Sequence, residues 1–284
     1  MSVLDIKKLA AYRAKSFRLT KLHRVKTRGQ ALHFVDHRGY VFFWPIKGID
    51  FPSLWTAVAG DRPVSDAHDD PGHITWGWKD KALDQKIWYY AKILRRKSTI
   101  ISLGIAPYFY ALSDNFGSPG EDYILAYEEG RLTRAAKQVY EALLKEGALN
   151  TIDLRRSANL GIARDSEFNR ALEILQADFK ILPVGIADAG SWHYSFIYEI
   201  VTRHYPTLPE QARKIGESEA RQKLLELYFN SVGAAQQNDI QRLLGWKTDL
   251  TARAIRKLIS DGKISKLNIP GKNEEFLALA QLGG

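Results

Sequence analysis

The segment from Leu132 to Leu279 is one pattern written twice, and this repeat constrains the fold more than any other feature of the chain. Arg170-Ala171-Leu172, Leu175, Asp178 and Lys180-Ile181 recur 83 positions later as Arg253-Ala254-Ile255, Leu258, Asp261 and Lys263-Ile264. Each copy reads as an apolar helix, a short second helix, a third helix running straight into a strand, a loop and another strand. That order is a winged helix, a unit whose third helix usually lies in a DNA groove with the hairpin beside it. Two copies in one chain predict a long surface shaped for duplex.

Charge placement points to the same partner. Residues 1 to 38 hold ten Lys or Arg and two Asp, a net +8 out of +9 for the whole chain. A charge serving solubility is spread over a surface, whereas counterion release from phosphate rewards a cluster. Here the cluster is Lys7, Lys8, Arg13, Lys15, Arg18, Lys21, Arg24, Lys26 and Arg28, interleaved with Tyr12 and Phe17. A disordered basic tail or a membrane-surface helix has the same composition. Its position in a chain with two winged helices favours DNA.

At 284 residues the chain suits two or three domains. It has no run of eighteen apolar residues and carries charge where a signal peptide needs an apolar core, so we expect a cytoplasmic protein with no membrane span. With no cysteine, disulfides, thiolate nucleophiles and cysteine-ligated metal centres are excluded. Neither a phosphate loop nor a dinucleotide fingerprint occurs, so no nucleotide cofactor is expected.

Thr27 and Gly39 bracket a predicted helix, followed by a short strand at Tyr40 to Trp44 and a helix from Phe51 to Ala59. Helical spacing recurs from Lys81 to Arg96, and Ser98 to Ile105 reads as a strand. This region is a third, degenerate copy of the unit. In the middle copy Thr133 caps the first helix and Gly147 ends it; the third helix, from about Arg164 to Phe179, turns Phe168, Leu172 and Leu175 inward and leaves Arg164, Asn169 and Arg170 outside. The following strands enclose a loop at Ala187 to Gly190 and carry Trp192, Tyr194, Phe196 and Tyr198 in alternation. After a linker at Pro206 to Pro209, the last copy offers Lys247, Arg253, Arg256 and Lys257. The outer cations of both copies either contact DNA or keep a helix solvated, and such domains also dock proteins.

Several short motifs stand in a shared order over ninety residues: Leu19-Thr20-Lys21-Leu22 with Arg24-Val25 and Thr27-Arg28, Pro52-Ser53-Leu54-Trp55, Trp76 with Lys79-Asp80, and Pro107-Tyr108-Phe109-Tyr110. With the repeat, they resemble a divergent, AlkZ-related branch of the AlkZ and YcaQ family of DNA glycosylases. The resemblance implies winged helices stacked into a concave basic surface and removal of an alkylated or otherwise modified base, in repair or in defence against modified foreign DNA. It also implies a Gln-x-Gln or Gln-x-Asp motif just after a glycine in the first unit. Here that window is Gly39-Tyr40-Val41-Phe42-Phe43-Trp44, with Phe42 and Trp44 at the polar positions.

A glycosylase stabilises an oxocarbenium-like sugar and orients water, jobs for a carboxylate or amide and not for an aromatic ring. Asp50 is the nearest replacement as catalytic group, with Trp44, Trp55 or Tyr40 stacking on the extruded base. An Asp at this place is more commonly a cap for a helix starting at Phe51. Asp36, Asp80 and Glu128 rank behind it. His68 and His73 with Asp69 and Asp70 have metal-ligand chemistry, but Asp-Pro-Gly is turn chemistry and the spacing matches no established site, so no metal is expected. Trp76, Trp78, Trp88, Tyr89 and Tyr90 read mainly as core.

The expected fold class is α+β, mostly α, with tandem winged-helix modules, two clear and one degenerate at the N-terminus, forming a concave basic surface. The expected divisions are a basic segment 1–17, the degenerate module 18–129, and winged helices 130–206 and 214–284. The DNA-binding set is Lys15, Arg18, Lys21, Arg24, Lys26 and Arg28 with the third-helix residues named above. The expected partner is double-stranded DNA, with either base removal or binding without catalysis as the outcome, and no cofactor.

Overall fold

The structure, a computed structural model, describes residues 3–190, 193–268 and 275–282. Trp192, expected at the start of a strand, lies outside the described residues. The chain runs α1 (Ile6–Ser16), α2 (Arg28–Arg38), β1 (Tyr40–Phe42), α3 (Leu54–Ala59), α4 (Ile74–Leu83), β2 (Trp88–Ala91), β3 (Thr99–Ser102), α5 (Ala106–Tyr110) and α6 (Asp122–Glu128). It continues as α7 (Arg134–Glu146), β4 (Leu149–Asn150), α8 (Thr151–Ser157), α9 (Asp165–Ala177), β5 (Ile181–Ala187), β6 (Ser195–Ile200), α10 (Val201–His204) and α11 (Leu208–Arg213). The last part is α12 (Glu217–Val232), β7 (Ala234–Ala235), α13 (Gln237–Leu244), α14 (Thr248–Ser260), β8 (Ile264–Asn268) and β9 (Glu275–Leu279).

The repeat read from sequence is visible as topology. β4 and β5 both pair antiparallel with β6, and β7 and β8 both pair antiparallel with β9, so each sheet has the order first, third, second. Registers correspond: Ile181 faces Ile200 in one copy and Ile264 faces Leu279 in the other. The third helix of each copy reaches its strand through the matched Asp178 and Asp261, which stand at the helix C-termini.

Local chemistry accounts for the boundaries. Thr27 Oγ1 accepts from Gln30 N at 3.2 Å and Thr133 Oγ1 from Ala136 N at 3.1 Å, each meeting an orphan donor of a first turn. Gly39 and Gly147 end their helices at φ 79° and 83°, a region that favours residues without Cβ. Two expectations are corrected. The helical spacing at 81–96 gives instead the end of α4, then strand β2, because Trp88, Tyr89, Tyr90 and Ala91 are buried on both faces and aromatics suit a strand so placed. The linker at 206–209 is the start of α11, with Pro209 in its first turn.

The chain forms two compact units, one of Met1–Trp78, Thr99–Gly104 and Glu217–Gly284, the other of Lys79–Ser98 and Ile105–Gly216. The first therefore joins the N-terminal segment to the last copy of the repeat. Its core holds a ladder of rings: Tyr40 stacks on Phe51 at 5.2 Å, and Phe51 on Tyr228 of α12 at 5.9 Å. The second unit is built round α7 and α9, with Val139, Leu143, Phe168, Leu172 and Leu175 buried as their spacing predicted. Among the described residues no helix is long and apolar enough to cross a membrane.

Gly233, between α12 and β7, has φ 77°, and a Cβ there would meet Leu9, Tyr12 and Leu282 side-chain atoms, each at 2.9 Å. Gly233→Ala is expected to destabilise the protein by about 1–3 kcal/mol through backbone strain and overpacking. Denaturant unfolding checks this, and an unchanged midpoint would contradict the close packing of α1 on this turn.

Candidate functional site

The cationic N-terminus is an ordered helix fixed to the end of another. Asp5 accepts from the N–H groups of Lys7 and Lys8 at 2.9 and 3.0 Å and so starts α1. Four side chains then reach the C-terminal turn of α12. Tyr12 Oη and Arg38 Nη1 both donate to the Asn230 carbonyl, Ser16 Oγ donates to that of Ser231, and Arg13 Nε and Nη2 donate to those of Val232 and Ala234 at 2.9 and 2.8 Å. Carbonyls at a helix C-terminus have no intrahelical partner and carry partial negative charge, so two guanidiniums are well suited to cap them.

Ion pairing divides the expected DNA-binding residues into two groups. In the repeat copies much of the charge is answered locally: Arg164 pairs with Glu167, Asn169 donates to Asp165, Lys257 pairs with Asp261, and Arg253 lies 3.9 Å from Asp249. Arg164 and Lys247 also stand at the caps preceding α9 and α14 instead of on their outer faces. Arg170 and Arg256 are exposed on those helices. In the N-terminal segment, by contrast, Lys15, Arg18, Lys21, Arg24 and Lys26 form no ion pair among the described residues. Lys15, Lys21 and Lys26 are exposed, Arg18 and Arg28 are half-buried, and the Arg24 guanidinium lies over the backbone of Gly60.

At the family-motif window the strand β1 is wholly buried. Phe42 is buried edge-on to Phe51 at 5.9 Å, and Phe43 is buried against Trp44 at 4.7 Å. Of the three residues expected to stack on a base, Tyr40 and Trp55 are correctable from burial. Neither has exposed surface; Tyr40 donates its hydroxyl to the Leu224 carbonyl at 2.9 Å, with its pKa pushed well up by burial, and Trp55 lies in the core. Trp44 is half-buried and joins a partly open aromatic cluster with His73 and Trp76, at ring separations of 6.1 and 6.0 Å. Trp76 is 43% exposed and stacks on His73 at 5.8 Å. The other aromatics read as core, Trp78, Trp88, Tyr89 and Tyr90, are buried. Of the residues with metal-ligand chemistry, His73 is in this cluster and Asp70 accepts from Arg62 and from Gly72 N. The Arg62 hydrogen bond, with the Gly72 N–H, holds the Asp70 carboxyl down at about 2.

Asp50 does not cap a helix. Ser53 starts α3 by accepting from Thr56 N at 3.1 Å, and Asp50, three residues earlier, accepts from Arg13 Nη1 at 2.9 Å with its side chain 77% exposed. Asp50 and Asp239 line one small cleft of about 140 Å³ with Arg13, Tyr228 and Arg242. The Trp44 cluster shares no residue with that cleft.

Sequence reading passed over Lys79 as more than a motif letter. Its ammonium is buried, donates to Tyr194 Oη at 2.8 Å and pairs with Asp80 Oδ1 at 2.8 Å, while Tyr194 donates to the same carboxylate oxygen at 3.0 Å. It also lies 4.6 Å from the centroid of the Phe196 ring. Burial lowers its pKa against the opposing pull of Asp80. The network ties the β6 end of the hairpin to the Lys79-Asp80 pair.

The solved structure of Streptomyces sahachiroi DNA glycosylase AlkZ superposes with a TM-score of 0.60 at 11% sequence identity, covering 98% of this chain and 71% of that one. At that identity the likeness is one of fold. No curated protein sequence matches the chain. The family model described as AlkZ related matches residues 25–245, most of the sequence. The chain belongs to the AlkZ-related family.

Proposed function

We propose that this protein binds double-stranded DNA and removes a modified base by hydrolysing its N-glycosidic bond, with the N-terminal helix and loop as the main phosphate-binding wall. The observation that carries the reading is the unanswered positive charge of Lys15, on the docked helix α1, and of Arg18, Lys21, Arg24 and Lys26 in the loop that follows it. Charge held without carboxylate partners is available for counterion release, whereas the paired cations of α9 and α14 must first break local contacts. In this reading the two repeat copies, and the N-terminal elements from α2 to β3, are winged-helix modules. Lys247, Arg253 and Arg256 in the last copy and Arg170 in the middle copy are then further phosphate contacts, and Arg164, Asn169 and Lys257 hold the third helices.

Trp44 and Trp76 supply the ring faces for an extruded base, with His73 bracing them. Asp50 supplies the carboxylate. Arg13 holds its Oδ2, leaving Oδ1 without a protein donor among the described residues. A water on Oδ1 would pass its proton to the carboxylate as its oxygen attacks C1′, and the base would leave with the electrons of the broken bond. The likeness in fold to a DNA glycosylase and the membership in the AlkZ-related family both support this chemistry.

A second reading, recognition of modified DNA without hydrolysis, is favoured by one feature: Phe42, Phe43 and Trp44 fill the motif window with packed aromatic surface. Alkylated or hypermodified duplex, incubated with the protein and then treated with hot alkali, separates the two. Under the first reading alkali-labile sites form, and Asp50→Asn lowers their rate by about a hundredfold or more while leaving duplex affinity within about twofold. Full activity in that variant removes Asp50 from the chemistry; tight duplex binding with no base release on any substrate selects the second reading.

Trp76→Ala tests the stacking face independently of hydrolysis. Loss of one base-aromatic stack is expected to weaken binding to modified duplex by about 1–3 kcal/mol, with little effect on unmodified duplex. Equal weakening on both would assign Trp76 to general adhesion.

A further inference from the structure

The space between α1 and α2 is lined by basic side chains from both helices. A cavity of about 660 Å³ opens there, within the roughly 300–1,000 Å³ of small-molecule sites. Five basic side chains line it, Lys8, Lys15, Arg18, His37 and Arg38, and no carboxylate does. Arg38 is only 8% exposed; it donates to the Asn230 carbonyl, and it has no carboxylate partner among the described residues. Lys8, Lys15 and Arg18 likewise have no ion pair among the described residues.

The carbonyl contact accounts for the position of Arg38 but not for three further cations round the same space. Like charges brought together repel unless an anion answers them, and here Arg38 is buried and Arg18 half-buried, with exposed Lys8 and Lys15 at the rim. Arg18 in addition takes φ 64°, left-handed backbone that an L-residue adopts against its preference, and such strain gathers at ligand sites. His37 feels the field: burial first, then Arg38, His33 and Arg18, lower its pKa. Tyr12, half-buried on the wall, presents an aromatic ring beside the charges.

We infer that this cavity binds the phosphate of a nucleotide, with the guanidiniums and ammoniums on the phosphate oxygens and the sugar or base against Tyr12. Guanidinium forks and point-charge ammoniums together are the usual phosphate set, and an adjacent ring selects a nucleotide over a bare anion. The phosphate can belong to a DNA strand, which rests on the function proposed above, or to a free mononucleotide, which does not.

Calorimetric titration of the full chain at low ionic strength with deoxyadenosine 5′-monophosphate, with deoxyadenosine and with inorganic phosphate tests the site. The monophosphate is expected to bind at least about tenfold more tightly than the nucleoside, and more tightly than inorganic phosphate. The paired change Lys8→Gln with Lys15→Gln, and separately Arg18→Gln, should each weaken it by about tenfold, with thermal unfolding confirming that each variant is folded. Equal binding of nucleoside and monophosphate, no binding of either, or indifference to both variants overturns the site. Competition then identifies the source: displacement of the monophosphate by duplex means that a strand phosphate occupies the cavity, and simultaneous binding means that a free nucleotide does. If duplex fails to bind while the monophosphate does, the DNA-binding function falls and the cavity assignment stands; the converse result removes the cavity alone.

Discussion

The C-terminal turn of α12 is the point on which the rest of the first unit depends. Its carbonyls at Asn230, Ser231 and Val232, with Ala234 just beyond, are taken up by Tyr12, Arg38, Ser16 and Arg13. A helix end left without donors is costly, and here the donors come from the most basic part of the chain. Capping and charge placement are therefore one arrangement: docking α1 satisfies the end of α12 and also sets Lys8 and Lys15 on the wall of the cavity that α2 lines from the other side. The same Arg13 that holds two carbonyls also holds Asp50, so the position of the one proposed catalytic carboxylate follows from the docking of α1.

Much of the architecture was legible because its signals are local. Thr27, Thr133, Gly39 and Gly147 announce helix ends by their own hydrogen bonds or dihedrals, and the inward set Phe168, Leu172 and Leu175 follows from helical period alone. Reading failed where partners distant in sequence decide. Trp88 to Tyr90 has spacing compatible with a helix, but burial on both faces makes it a strand. Tyr40 sits beside a motif window and invites a functional reading, yet its hydroxyl meets a carbonyl 184 residues away. Asp50 has the chemistry of a cap, but Ser53 takes that place and Arg13, 37 residues distant, takes the carboxylate.

The charge was legible as a total and illegible as a pattern of pairing. Counting Lys and Arg puts Arg164 and Lys21 on equal terms; the structure separates them, since Arg164 is held by Glu167 and Lys21 has no ion pair among the described residues. Exposed pairs on one helix contribute little stability, but they lower the charge offered to a phosphate. The departure at Phe42 and Trp44 has a similar logic. Phe42 packs β1 as core on Phe51, and the open aromatic surface is at Trp76, beside Trp44 and His73.

The central claim is that docked, unpaired cations of the N-terminal segment bind phosphate. Its most direct test is the dependence of duplex affinity on salt for the intact protein and for a variant with Lys15, Lys21 and Lys26 changed to Gln. The account predicts a linear fall of log affinity with log salt, and a slope shallower by about 0.9 for each of the three charges removed. An affinity indifferent to salt, or a slope that the three substitutions leave unchanged, would contradict it.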